Sequence, residues 1–245
     1  MSLSRVNKHI GNLSERLRHV GNLRKIPVVL TDSRGRNLED QVNPESHPEN
    51  KIVWWYRRGK GAEEQFSWLK ENLQGQIEQL QSNHLTIYIW LGTCDLTSKS
   101  GAFIDIQSES YTAVNQLCSF YKQIYDYLSQ YPTITLIFLE LPFYSIYHWN
   151  KEHDHQDPQP FREKDLILQD QICETNKYIR SLNSLMHQNS PDFSLDLEKC
   201  RKSYNRRSSR YFQNFGLYVD GVHPHPDLAR LWLIRICLRL EKDCN

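Results

Sequence analysis

Three residues that together can move an acyl group lie at opposite ends of this chain. Ser33 sits in Thr31-Asp32-Ser33-Arg34-Gly35, and Asp220 and His223 sit three positions apart in Asp220-Gly221-Val222-His223-Pro224. A serine hydroxyl becomes a nucleophile when a base takes its proton during attack. Imidazole does this near neutral pH and can return the proton to a leaving group. A carboxylate on the second ring nitrogen fixes the tautomer and stabilises the imidazolium. Pro224 and Pro226 exclude a helix interior at this point and hold the preceding residues extended, so the acid and the base ride on a stiff turn. Each residue alone has a plainer reading. Serine after a strand is commonly a cap or turn former, and histidine beside proline commonly lies on a surface loop.

The elements around these residues decide whether they can meet. Short β-branched or apolar runs occupy Ile26–Leu30, Lys51–Tyr56, Leu85–Leu91 and Thr133–Leu139, with a weaker fifth strand expected at Phe193–Leu197. Helical spacing separates them, over 62–80, 109–130, Phe161 to about His187, and from Pro226 through Leu238. Strands apolar on both faces and alternating with helices predict an α/β fold: a three-layer αβα sandwich around a mostly parallel, five-stranded sheet. Ligands collect at the carboxyl ends of the strands in such sheets. The polar stretches "TDSRG", "RRGKG" and "GTCDLT" directly follow the first three strands, and "VDGVH" precedes the last helix. One sheet edge is therefore expected to gather all four.

The order and spacing of these motifs resemble the SGNH (GDSL-type) hydrolase superfamily, over about residues 26 to 240. Thr31-Asp32-Ser33 is similar to its Gly-Asp-Ser motif, with Thr in place of Gly. Gly59 or Gly61 is similar to its lone glycine after the second strand. Gly92-Thr93-Cys94-Asp95 aligns with its Gly-x-Asn-Asp, and Asp220-Gly-Val-His223-Pro224 meets its Asp-x-x-His in full. The alternative Gly-x-Ser-x-Gly elbow of α/β-hydrolases is only half matched by "TDSRG". The resemblance implies a flavodoxin-like SGNH fold and ester hydrolysis through Ser33, His223 and Asp220, with an acyl-enzyme intermediate and no cofactor or metal. It also implies an oxyanion hole built from the Ser33 and glycine N–H groups and the residue at 94, with Asp32, Gly92 and Asp95 supporting. The amide of that asparagine is replaced here by the Cys94 thiol, a weak donor. Loss of one oxyanion donor costs about 10²–10³ in rate. Asn37 or Arg34 could stand in, and Thr31 would add bulk beside the nucleophile. "VVLTDSRGRNL…WLGTCDLT" further resembles esterase-like domains that accompany the coding regions of some invertebrate retroelements.

The remaining segments invite other readings. Lys199-Cys-Arg-Lys-Ser-Tyr-Asn-Arg-Arg-Ser-Ser-Arg210 places Arg201, Lys202, Arg206, Arg207 and Arg210 beside Tyr204, Tyr211 and Phe212. Such interleaving suits RNA or single-stranded DNA, although charge runs are more often solvated loops. Residues 3 to 23 carry an apolar stripe (Leu3, Val6, Ile10, Leu13, Leu17, Val20, Leu23) opposite a basic face. They define an N-terminal amphipathic helix over 1–25 ahead of a domain over 26–245: packed on that domain, or serving self-association or nucleic-acid binding. His148 to Asp157 ("HWNKEHDHQD") reads as part of a polar loop over 142–160 that could overhang the site as a lid, and lacks the fixed spacing of a metal site. With 30 Lys and Arg against 29 Asp and Glu, no global field draws the chain to nucleic acid or membrane. Six scattered cysteines without a C-x-x-C pair suggest reduced thiols in an intracellular, cytoplasmic setting. No stretch reaches the roughly 20 apolar residues of a membrane span.

Overall fold

The computed structural model describes residues 1–202 and 209–245. Its elements are α1 (Leu3–Leu17), β1 (Ile26–Thr31), α2 (Arg34–Glu39), β2 (Val53–Tyr56), α3 (Ala62–Leu80), β3 (Leu85–Trp90), α4 (Thr93–Leu96), β4 (Thr97–Ser100), β5 (Phe103–Ile106), α5 (Thr112–Leu128), β6 (Ile134–Phe138), α6 (Ile146–Glu152), α7 (Phe161–Leu185), β7 (Glu198–Lys202), β8 (Ser209–Gln213) and α8 (Pro226–Asp243).

The central sheet is parallel throughout, in the order β2-β1-β3-β6. All six residues of β3 are buried, as a strand covered on both faces requires. Its alternate residues face opposite layers. Thr86 and Tyr88 donate side-chain hydrogen bonds to Asp243 of α8, and the Trp90 ring meets Trp232 of α8 at 5.9 Å. Ile89 pairs instead with Phe138, whose ring packs 5.3 Å from Tyr121 of α5. Helices thus flank the sheet on both sides.

The sheet has four strands where five were expected. At the end of β6 and just past it the backbone is taken up by side chains: Asn183 of α7 accepts from the Phe138 N–H and donates to the Phe138 carbonyl, and Asn176 does the same for Leu141. Ser190 accepts the Glu140 N–H. Those backbone groups, at the end of β6 and just past it, are therefore not open to another strand. Phe193–Leu197 forms a 3-10 turn instead, opened by the Asp192 carboxylate on the N–H groups of Ser194 and Leu195, with the Phe193 ring packed 5.1 Å from Trp90.

A short helix lies where loop was expected, and a hairpin where no element was expected. The stretch over 142–160 contains α6, and the chain after α4 turns back at Gly101 to make the antiparallel hairpin β4–β5. At the N-terminus, helix ends at Leu17, short of the stripe's end at Leu23. Val6 and Leu17 are buried where α1 packs on α8. No helix among the described residues is long and apolar enough to cross a membrane.

Candidate active site

Register brings the polar motifs to one edge. Thr31, the last residue of β1, lies beside Tyr56 of β2 and Trp90 of β3, so three strands end level and their following loops open on the same side. Strand order reverses about β1, because β2 lies on one side of it and β3 on the other. That is the position where open α/β sheets leave a crevice.

Ser33 stands at the start of α2, half-buried, and its Oγ lies 3.1 Å from His223 Nε2. His223 Nδ1 lies 2.7 Å from Asp220 Oδ2. Asp220 Oδ1 also accepts the N–H groups of Val222 (2.9 Å) and His223 (2.7 Å). Burial alone would raise the Asp220 carboxyl, but the hydrogen bond and charge of His223, with these two N–H groups, hold it below its ordinary value. An ionised carboxylate only accepts, so Nδ1 carries the proton and Nε2 is left to accept the Ser33 hydroxyl. The arrangement can take a proton from Ser33 and store the resulting charge.

The neighbours of Ser33 are fixed from beneath. Asp32 is buried and accepts from the Arg34 N–H, Nε (3.1 Å) and Nη2 (3.0 Å), while the Arg34 guanidinium lies 4.7 Å over Trp90. Arg34 is buried and does not line the cleft, so it is not placed as a replacement oxyanion donor. The Thr31 methyl points under α2, where a Cβ on Gly35 would come within 2.2 Å of it. Its bulk is taken up by Gly35, not by the space beside the nucleophile.

The two glycine candidates separate. Gly59 lines the same cleft as Ser33 and His223, and neither its N–H nor that of Ser33 has an acceptor among the described residues. Gly61 opens α3, and its N–H donates to Glu64 Oε2 at 2.8 Å. A Cβ at Gly61 would lie 2.7 Å from Asp95 Oδ1, which accepts the Ala62 N–H at 2.8 Å. Gly61 thus admits Asp95 to the start of α3 and does not offer its N–H to the cleft. Burial, offset by the Ala62 N–H, pushes the Asp95 carboxyl up to about 6. Gly92 (φ 129°) opens α4 and presents Cys94 to the cleft. Burial, then the nearby Asp32 and Asp95 carboxylates, push the Cys94 thiol up to about 12. It stays protonated at neutral pH and is no nucleophile there.

The cleft holds about 860 Å³. Its walls include Arg58 of the "RRGKG" stretch after β2 and Trp149 of α6, from the segment expected to overhang the site, together with two residues that sequence reasoning passed over, Lys99 and Ile104 of the β4–β5 hairpin. The alternation around Gly101 in "TSKSGAFIDI" was the available signal for the hairpin. The Trp149 ring lies 5.6 Å from His223 and stacks on His153 at 4.2 Å, while His155 packs between Phe103 and Phe161. These histidines make packing contacts, and among the described residues no cluster of His, Cys, Asp or Glu could hold a metal ion. Of the basic residues considered for nucleic acid, Arg201, Lys202 and Arg210 fall on the antiparallel hairpin β7–β8, and Arg206 and Arg207 lie outside the described residues.

No family model matches the chain, and no curated protein matches it. Solved structures do. The chain is similar to a GDSL-like lipase from Bacteroides thetaiotaomicron, at 13% identity and TM-score 0.60, covering 98% of this chain and 99% of that one. It is also similar to the lipase/acylhydrolase from Enterococcus faecalis, at 13% identity and TM-score 0.56, covering 89% and 95%. The fold is that of the GDSL-like lipases and acylhydrolases.

Proposed function

We propose that this chain is a serine acyl hydrolase of the SGNH kind, cleaving a small carboxylic ester. Ser33 Oγ attacks the carbonyl carbon as His223 Nε2 takes its proton. The tetrahedral intermediate collapses to an acyl-enzyme when imidazolium returns that proton to the leaving alkoxide. Water, deprotonated by the same ring, then releases the acid and restores Ser33. The developing oxyanion is held by the Ser33 and Gly59 N–H groups, with the Cys94 thiol as a weak third donor. The observation that carries this reading is the hydrogen-bonded series from Ser33 through His223 to Asp220, joining residues 190 positions apart at the mouth of a cleft.

A fluorophosphonate probe tests it, because such probes label only serines made nucleophilic by a base. Labelling at Ser33, lost in Ser33→Ala together with turnover of 4-nitrophenyl acetate, is the expected result. Asp220→Asn is expected to retain the fold and lose about 10⁴ in kcat through the wrong tautomer. An unlabelled wild-type protein, or esterase activity that survives Ser33→Ala, would sink the proposal.

A further inference from the structure

Across the whole chain positive and negative side chains balance, 30 against 29, yet the cleft does not. Arg36, Arg58 and Lys99 line it against one carboxylate, Asp40. Asp40 lies 3.8 Å from Arg36, four residues away on the same turn of chain. Arg58 and Lys99 have no carboxylate within ion-pair distance among the described residues, and both are exposed. Their neighbours are treated differently. Of the cluster after β2, Arg57 donates to the Glu64 carbonyl and Lys60 pairs with the Glu64 carboxylate at 3.0 Å, so α3 engages two of the three cations and Arg58 alone is left to the cleft. Lys99, on the β4–β5 hairpin, lies 5.3 Å from the Trp149 ring that also backs His223. Two carboxylates near the reacting atoms stay out of the cleft lining: Asp32 is buried and paired with Arg34, and Asp220, ionised against the neutral His223 ring, does not line the cleft.

Resting on the hydrolase reading above, we propose that the ester cleaved here carries its own anionic oxygen group, a carboxylate or its like, received by Arg58 and Lys99 while the carbonyl meets Ser33. The substrate class is therefore a short, negatively charged ester, one that two exposed cations can select over a neutral ester of the same length by charge pairing screened by salt.

Paired substrates read this out. On the acyl side, 4-nitrophenyl hemisuccinate is compared with 4-nitrophenyl pentanoate; on the alcohol side, 4-acetoxybenzoate is compared with its methyl ester. We expect a higher kcat/KM for the charged member of at least one pair. That charged-to-neutral ratio should fall about tenfold in the Arg58→Ala, Lys99→Ala double variant, and in the wild type it should fall with added salt. Neutral members favoured in both pairs, or a ratio unmoved by the double substitution, would overturn the anion site while leaving the hydrolase standing. Calorimetric binding of the hemisuccinate ester to the Ser33→Ala protein keeps the two ideas apart. Salt-sensitive binding that needs Arg58 and Lys99, with no Ser33-dependent turnover in wild type, would keep the anion site and reject the hydrolase; no binding and no turnover would reject both.

Discussion

Burial and two neighbouring carboxylates keep the Cys94 sulfur protonated, so at this position the cleft receives an S–H in place of an amide. A thiol stabilises a developing alkoxide far less than an amide does. Cys94→Asn is expected to raise kcat on an activated ester by about 10²-fold with little change in KM, because the donor acts chiefly in the transition state. Steady-state kinetics on 4-nitrophenyl acetate measures it. An unchanged kcat would mean that the cleft already supplies a third donor, and Asn37, which lines it, is the side chain to remove next. Much of the residue-level chemistry was legible in sequence because it is local: Asp220 meets His223 within one turn of chain. The choice between Gly59 and Gly61 was not legible. It depends on the approach of Asp95, which is 34 residues beyond Gly61 in sequence and 2.7 Å from its notional Cβ.

The Asp220–His223 turn keeps its shape by packing against another element, the start of α6. Gly221, at φ 91°, donates no side chain and lets its carbonyl accept the Ser145 N–H at 2.9 Å. A Cβ there would lie 2.6 Å from His148 Cβ, 2.8 Å from the Ser145 carbonyl oxygen and 2.9 Å from the Trp149 nitrogen. The start of α6 cannot yield easily, since Asp165 of α7 accepts the Ser145 hydroxyl and the Ile146 N–H. Gly221→Ala should therefore cost about 2–3 kcal/mol of stability, from the left-handed backbone and the clash together. It should also lower kcat by moving His223 away from Ser33. Thermal melts and ester kinetics on the one variant check both effects, and a normal kcat would show that the turn has slack. The buttressing helix was invisible in a segment rich in polar residues and proline, because α6 is two turns long and its burial comes from α7. Phe193–Leu197 is no strand for the complementary reason: its apolar residues are core residues, but the backbone at the end of β6 and just past it is taken up by Asn183 and Asn176.

At the scale of the molecule, the N-terminal helix and the last helix form one layer contact. Val6 and Leu17 of α1 lie buried against α8, whose other side supports β3 through Asp243 and Trp232. Full burial of two such side chains contributes about 3–5 kcal/mol. A chain that begins at Val20 should accordingly melt about 10 °C lower, as scanning calorimetry would record. An unchanged melt with a reduced assembly mass would assign the helix to contacts between chains instead.

The amino-acid sequence by itself determined the fold class, the residue types able to do acyl chemistry, and the local pairing of acid with base, since each depends on periodicity or on neighbours a few positions apart. Only the tertiary structure decided the strand order that sets the crevice at β1, the register that levels three strand ends, and the appearance of the β4–β5 hairpin, with Lys99 and Ile104, beside Ser33. Those depend on hydrogen bonds and packing between segments far apart in the chain, and no pattern within any one segment encodes which partner it will find.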